Sequence, residues 1–366
     1  MRNAKRLMGV VLGGVALIGG SRAFAQDWPQ WRGENRDGKV AGFSAPQVWP
    51  KALTQGWKTA VGLGDATPAL VGDRLYVFTR QGDDEVALCL DAGSGKELWR
   101  EKYAAEAVTG AAASHPGPRS SPTVADGKVV TLGVGGILSC LDAATGKVAW
   151  RNDEFAKVVP QFFTAMSPIV VDGMCIAHLG GKDKGAIIAF DLATGGQKWK
   201  WEGDGPAYAS PVLMTVEGTK QIVGQTEKNV VGVAAADGKL LWQVSAPAQG
   251  RSFNSATPIV DGQTVIYTGQ GRGTKAVKIE KQGAGFAAKE LWSNETLGTG
   301  YNTPVLQDGL LFGLSDRGNL YCLSAQTGQA SWTDTTRRDR FGAILATGSA
   351  ILALLGNSEL IAFKPS

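Results

Sequence analysis

RSSPTVADGKVVTLGVGGILSCLDAATGKVAW, residues Arg119–Trp150, contains four short β-prone runs divided by three turns. Ser121-Pro122 opens the first run, Asp126-Gly127 turns it, and a Val-rich run follows Lys128. Gly135-Gly136 makes the second turn, and the third run ends in Cys140-Leu141-Asp142. Thr145-Gly146 then leads into a last run that closes on Trp150. Asp and Gly punctuate the stretch for a local reason: the carboxylate bonds nearby backbone N–H groups, and Gly takes a left-handed φ without steric cost. Short β-branched runs between such turns predict antiparallel strands and disfavour a helical repeat.

The unit recurs along the chain. Closing tryptophans stand at Trp57, Trp99, Trp150, Trp199, Trp242, Trp292 and Trp332, 40 to 51 residues apart, a period that suits four-stranded propeller blades. Openings stand at Thr67-Pro68, Ser121-Pro122, Ser167-Pro168, Ser210-Pro211, Thr257-Pro258 and Thr303-Pro304, with a degenerate seventh at Phe341-Gly342-Ala343-Ile344. The seventh unit reaches Ser366 without a closing Trp, whereas Trp57 precedes the first opening. This offset predicts an all-β, seven-bladed β-propeller of four-stranded antiparallel blades, closed by the N-terminal strand, which removes a free sheet edge. On that reading, deleting Gln55 to Val61 costs far more than a surface strand. The fifth unit departs locally: KIEKQGAGFAAKELW, ending at Trp292, has no Asp-Ala-x-Thr-Gly turn.

Residues 1–25 read as a signal peptide: Arg2, Lys5 and Arg6, an apolar run from Leu7 to Gly20, and Ala23-Phe24-Ala25 before Gln26. The apolar run falls short of the ~20 residues that span a bilayer, so cleavage near Ala25 and export are expected, a retained anchor being the alternative. Taking the leader's four basic residues from the chain's 37 leaves 33, equal to its 33 acidic residues. A net charge near zero predicts no nucleic-acid partner and no generic attraction to anionic membranes. Residues 26–56 then form an N-terminal arm, and 57–366 the propeller. In the arm, DWPQWRGENRDG (Asp27–Gly38) sets Trp28 and Trp31 among turn residues. It reads as an irregular segment on the propeller rim, or alternatively as a stacking patch using Arg32, Arg36 and the Trp pair. Cys89, Cys140 and Cys322 share one repeat position, which places them in different blades as buried free thiols; a disulfide would need Cys175.

The signature seen in CLDAGSGKELW, CLDAATGKVAW, AFDLATGGQKW, GVAAADGKLLW and CLSAQTGQASW resembles the PQQ-like, or quinoprotein-type, β-propeller repeat over about Trp57 to Phe363. The chain also resembles exported PQQ-binding-like propellers and, more distantly, the propeller of outer-membrane-protein assembly. The resemblance implies three functional classes: a binding scaffold, a quinone- and calcium-dependent alcohol dehydrogenase, or a component of outer-membrane assembly. The dehydrogenases of the family carry eight blades, an adjacent Cys pair and an acidic calcium set. Seven units and no adjacent cysteines depart from that pattern, so no cofactor is predicted and pyrroloquinoline quinone with calcium is not expected.

Ligands of propellers usually meet the loops that enter the innermost strands. Those loops hold the ligand-binding candidates Asp65, His115, Arg119, Phe162, Tyr208, Arg251, Asn254, Tyr301, Asn302 and Arg340. Guanidinium forks and aromatic faces suit a small anionic or sugar-like ligand, or a protein segment. The bland reading makes them solvated rim residues, the arginines paired with Asp65 and Asp339. His115 with Asp65 or Asp339 could act as a base, but no nucleophile has the required context and no catalytic set is assigned. His178 falls in a strand pattern. Two distant histidines and four spaced cysteines give no zinc cluster, and SDRGN (Ser315–Asn319) lacks the acids of a calcium loop. A monomeric, exported binding scaffold is the leading expectation.

Overall fold

The computed structural model describes residues 26–366 except 251 and 284; the leader expected at 1–25 lies outside the described residues. Arg119–Trp150 folds as read: strands Thr123–Ala125, Lys128–Leu132, Leu138–Asp142 and Val148–Asn152 pair in order as one antiparallel sheet. Six four-stranded sheets follow this plan, over residues 69–104, 123–152, 169–201, 212–245, 259–294 and 305–333, here sheets 1 to 6. Sheet 7, over 342–363, has three strands.

The register explains the repeat. In sheets 1 to 6 the closing Trp lies opposite Cys89, Cys140, Ala189, Gly232, Ala276 or Cys322, and a β-bulge follows that small residue each time. The cysteines thus serve as small apolar groups; all four are free and buried, and burial pushes the Cys89 and Cys140 thiols up to about 11.

Most closing tryptophans dock on the Thr-Gly or Asp-Gly turn of the next sheet. Trp99 Nε1 donates to Ala143 O at 3.1 Å, Trp150 to Leu192 O at 2.9 Å, Trp199 to Ala235 O at 2.9 Å and Trp292 to Ala325 O at 2.8 Å. Each ring covers the turn glycine: a Cβ on Gly146 would stand 2.5 Å from Trp99. The turn therefore requires Gly for both its positive φ of 73° and the indole above it. Trp332, whose Nε1 donates to Ser366 O at 2.7 Å, and Trp242 are the exceptions. Sheet 5 has no such turn, because strands Gly273–Gln282 and Gly285–Asn294 extend past the place where it would be. The indole of Trp242 instead lies over Gly232 of its own sheet and donates to Gln221 Oε1 at 2.6 Å.

Apolar clusters join sheets 1 and 2, 2 and 3, 3 and 4, 4 and 5, 5 and 6, and 6 and 7. The expected closure by the N-terminal strand is not found. No sheet closes or curls on itself, residues 55–61 form no strand, and sheet 7 stays three-stranded. The N-terminal segment bonds to sheet 1 instead: Trp57 Nε1 donates to Ala92 O at 3.0 Å, Gln81 Nε2 to Val61 O at 2.8 Å, and Leu63 exchanges backbone bonds with Arg80. The remaining face of sheet 1 packs Val77, Val86, Leu88 and Leu90 with Val61 and Leu75, and no described residue of sheet 7 joins that cluster. Trp57 does occupy the repeat position for a closing Trp, over Gly95. An indole needs only the next turn to dock on, so its phase carries no information about whether the backbone beside it pairs.

Candidate functional site

Residues 27–40 of the arm do not lie on a rim. They run where the first strands of all seven sheets converge, and the reason is the local chemistry of WPQWRGENRDG. Trp28 exchanges backbone bonds with Leu70 of sheet 1, at 2.7 and 3.0 Å, and Pro29 O accepts from Val124 N of sheet 2 at 2.8 Å. Arg36 donates to Ser167 O at 3.0 Å, to Pro168 O, and to Pro211 O at 2.8 Å, at the entries to sheets 3 and 4. Trp31 Nε1 reaches Thr257 Oγ1 at 2.9 Å before sheet 5, and Arg32 reaches Thr303 O and Pro304 O at 3.0 and 2.8 Å before sheet 6. Gly38 and Val40 bond Ala346 of sheet 7. The prolines of the Ser/Thr-Pro openings thus leave carbonyls that two buried guanidinium forks collect. Burial pulls Arg36 down to about 9 and Arg32 to about 10, so both stay charged at neutral pH. The opening hydroxyls link neighbours: Ser121 Oγ accepts from Thr67 N, Ser167 Oγ from Ser121 N, Ser210 Oγ from Ser167 N and Thr303 Oγ1 from Thr257 N.

Above the arm lies a cavity of about 710 Å³. Every loop that leads into a first strand contributes to it: 65–67, 111–119, 162–165, 208–210, 253–255, 301–303 and 341–345, with Trp28, Trp31 and Arg32 as lining residues from the arm. Seven of the ten sequence candidates line it, namely Asp65, His115, Arg119, Phe162, Tyr208, Tyr301 and Asn302. Arg340 lies beside it, its guanidinium 5.4 Å from the Tyr301 ring centroid and 5.3 Å from that of Phe341. Asn254 is buried structure: Nδ2 donates to Thr226 O and Ala246 O, and Oδ1 accepts from Arg272. Arg251 lies outside the described residues.

Two aromatic groups shape the walls. Phe162, Tyr208 and Phe253 meet edge to face with centroids 5.0 to 6.4 Å apart, and Tyr301 stacks on Phe341 at 4.8 Å and 20°. The first group is held by Tyr208 Oη, which accepts from Phe162 N at 3.0 Å; burial raises this phenol's pKa. Arg119 is not a free fork, since it donates to Phe162 O and His115 O, both at 2.7 Å, tying two loops together; burial lowers its pKa. His115 Nδ1 lies 3.1 Å from Asp65 Oδ2 in an exposed pair. The pairing foreseen for the arginines is therefore different: Asp65 faces His115, and Asp339 accepts from Phe341 N. His178 is a buried sheet residue whose Nε2 faces Asp204 O at 2.9 Å; burial takes it down to about 4.

The sequence offered the arm's place beside the cavity only as its alternative, a stacking patch; of that patch Trp28, Trp31 and Arg32 line the cavity, whereas Arg36 holds backbone carbonyls. Ala111 and Ala112, on the short 3₁₀ turn Gly110–Ser114, were not signalled at all. Among the described residues no three His, Cys, Asp or Glu side chains are grouped to hold a metal ion. The cavity's one carboxylate already faces a histidine, so this donor set does not fit a calcium-held quinone.

Trp-closed antiparallel sheets around a ligand-sized cavity define a propeller-repeat protein. The chain belongs to the PQQ-like repeat family: the family model described as "Outer membrane protein assembly factor BamB" matches residues 36–154 and 83–334. BamB of Bordetella pertussis is 25% identical over 255 residues, covering 69% of this chain and 58% of that protein's length. Among solved structures, BamB from Moraxella catarrhalis superposes with a TM-score of 0.59 at 16% identity, over 85% of this chain and 87% of the other. A quinohemoprotein alcohol dehydrogenase from Pseudomonas putida HK5 gives 0.65 at 15%, over 93% and 71%. In sequence the chain is similar to oxidoreductases as well as to assembly factors: a quinohemoprotein alcohol dehydrogenase of Pseudomonas putida is 27% identical over 172 residues, 46% of this chain and 24% of that protein. Among the described residues no helix is long and apolar enough to cross a membrane.

Proposed function

We propose that this chain is an exported, periplasmic binding propeller that takes a small ring-shaped ligand in the arm-lined cavity, without chemistry of its own. The observation that carries this reading is the convergence of seven separate loops and the arm on one space of about 710 Å³, within the ~300–1,000 Å³ of small-molecule sites. Aromatic faces shape its walls, and the one acid–base pair in it, His115 with Asp65, is exposed and is hydrogen-bonded to no Ser, Thr or Cys side chain among the described residues. A titration of the purified protein with small ring compounds, followed by indole fluorescence and melting temperature, tests this. The expected result is a ligand whose effect is lost in both Phe253→Ala and Tyr301→Ala. Saturable effects that persist in both variants would place the binding elsewhere and reject the proposal.

Family membership favours a second reading, a component of outer-membrane protein assembly acting through a protein partner. It predicts a partner cross-linked to this chain whose capture survives Phe253→Ala and Tyr301→Ala.

A further inference from the structure

The charges around the cavity narrow the chemistry of its ligand, on the proposed reading that the cavity binds one. Among the described residues the arginines in ion pairs are Arg100, Arg151 and Arg338, and none of them lines the cavity. Arg32 and Arg119 do line it. Arg32 spends its bonds on the neutral carbonyls of Thr303, Pro304 and Asp37. Arg36, buried in the same arm, spends its own on carbonyls and on the amide oxygen of Gln30. Arg340 adds a cation beside the lining, over Tyr301 and Phe341. Carbonyls solvate a guanidinium without cancelling its charge, and walls of low dielectric let that charge reach further than it would in water. Against these cations the lining sets one carboxylate, Asp65, which faces His115 at 3.1 Å. Asp37 acts on Arg32, and Asp65 on Arg119, only from beyond ion-pair distance. The space is therefore electropositive.

The two lining arginines act differently. Arg32 is buried and its unbonded Nε is sealed from solvent, so it acts through its field alone. Arg119 is half-buried, and one N–H of each terminal nitrogen goes to Phe162 O or His115 O. Those two bonds fix the plane of its guanidinium. Its Nε makes no hydrogen bond among the described residues and, unlike that of Arg32, is not sealed. A guanidinium held at both ends and open at Nε keeps N–H groups for an oxyanion, and a carboxylate matches their spacing. One open guanidinium in the lining calls for one carboxylate. Arg119 also stands against an aromatic wall: it holds the carbonyl of Phe162, and its charge reaches the Tyr208 phenol. Phe162, Tyr208 and Phe253 on one side, and stacked Tyr301 and Phe341 on another, supply faces and edges on which a flat ring packs.

We infer that the cavity binds a flat ring carrying a single carboxylate, with the carboxylate held directly by Arg119 and the ring against the aromatic groups.

Calorimetric titration of the purified protein in EDTA tests this. The probes are benzoate and 2-naphthoate, with benzamide and 2-naphthamide as their uncharged counterparts. At least one carboxylate is expected to bind, and its amide to bind about tenfold more weakly or worse, as for the loss of a charge-assisted hydrogen bond. Asp65→Asn removes the lining's one carboxylate at the expense of an exposed pair, and is expected to tighten the bound carboxylate about threefold while leaving the amide unchanged. Arg119→Gln is expected to weaken the carboxylate about tenfold or more. Because Arg119 ties two loops, the amide comparison and Asp65→Asn serve alone if that variant does not fold. An amide that binds as tightly as its carboxylate, both weakened by Tyr301→Ala, would overturn the charge assignment and leave the cavity reading standing. A carboxylate that binds only once calcium is added in excess of the chelator would overturn the direct hold by Arg119. No binding by any probe, with or without calcium, would overturn both the inference and the cavity reading. Carboxylate binding unaffected by Arg119→Gln, Asp65→Asn and Tyr301→Ala would place the ligand outside this cavity and overturn the inference.

Discussion

Replacing Arg36 with alanine tests the claim that the arm, rather than a closing strand, ties the sheets together. Arg36 is 2% exposed, and its guanidinium supplies donors to three carbonyls at the entries of sheets 3 and 4 and to Gln30 Oε1 at 2.8 Å. The alanine variant leaves those three carbonyls without their charged donor, at about 1 kcal/mol each or somewhat more. It also removes the side chain that fills the space between them. Against this stands relief from burying a cation, the effect that pulls the guanidinium down to about 9. The balance is a loss on the order of 3 kcal/mol, large for one substitution. Arg36→Lys keeps the charge but not the fork, so it should recover less than half. Urea unfolding with fluorescence and circular dichroism gives the difference, and hydrogen exchange should show faster opening in 27–40 and in the first strands of sheets 2 to 4. A midpoint within about 0.5 kcal/mol of the parent, with unchanged exchange there, would show that the arm merely occupies the space.

Two further outcomes follow from the same contacts. His178 is buried with its pKa taken from 6.5 down to about 4, so the unfolded chain binds the extra proton in that window and stability falls as pH drops from about 6.5 to 4. The full effect is roughly 3 kcal/mol. Glu85, whose pKa burial raises, acts in the opposite sense above the ordinary carboxylate range, so the parent must be compared with His178→Gln; equal pH slopes in the two would refute the assignment. Gly146→Ala should cost more than Gly127→Ala by about 1–2 kcal/mol: both have φ near 70°, but only the first meets an indole, at 2.5 Å, while the second faces open space. Equal melting temperatures would remove the docking account of the Trp repeat.

The chain's period, turn chemistry and β-branched runs were enough to determine seven repeating antiparallel units and the identity of the closing tryptophans, because turns and strand alternation depend on neighbours a few residues apart. The loops ahead of each Ser/Thr-Pro could be grouped from their repeat phase alone, which is why Asp65, His115, Arg119, Phe162, Tyr208, Tyr301 and Asn302 were found together. Tertiary structure decided the rest. Whether residues 55–61 pair with sheet 7 depends on backbone groups far apart in sequence, and those groups bond to sheet 1. The arm's course depends on seven sets of carbonyls and amides brought to one place, which no single segment encodes. Asn254 and Arg119 look like ligand groups in a loop, but the folded chain uses Asn254 and both terminal nitrogens of Arg119 to satisfy its own backbone.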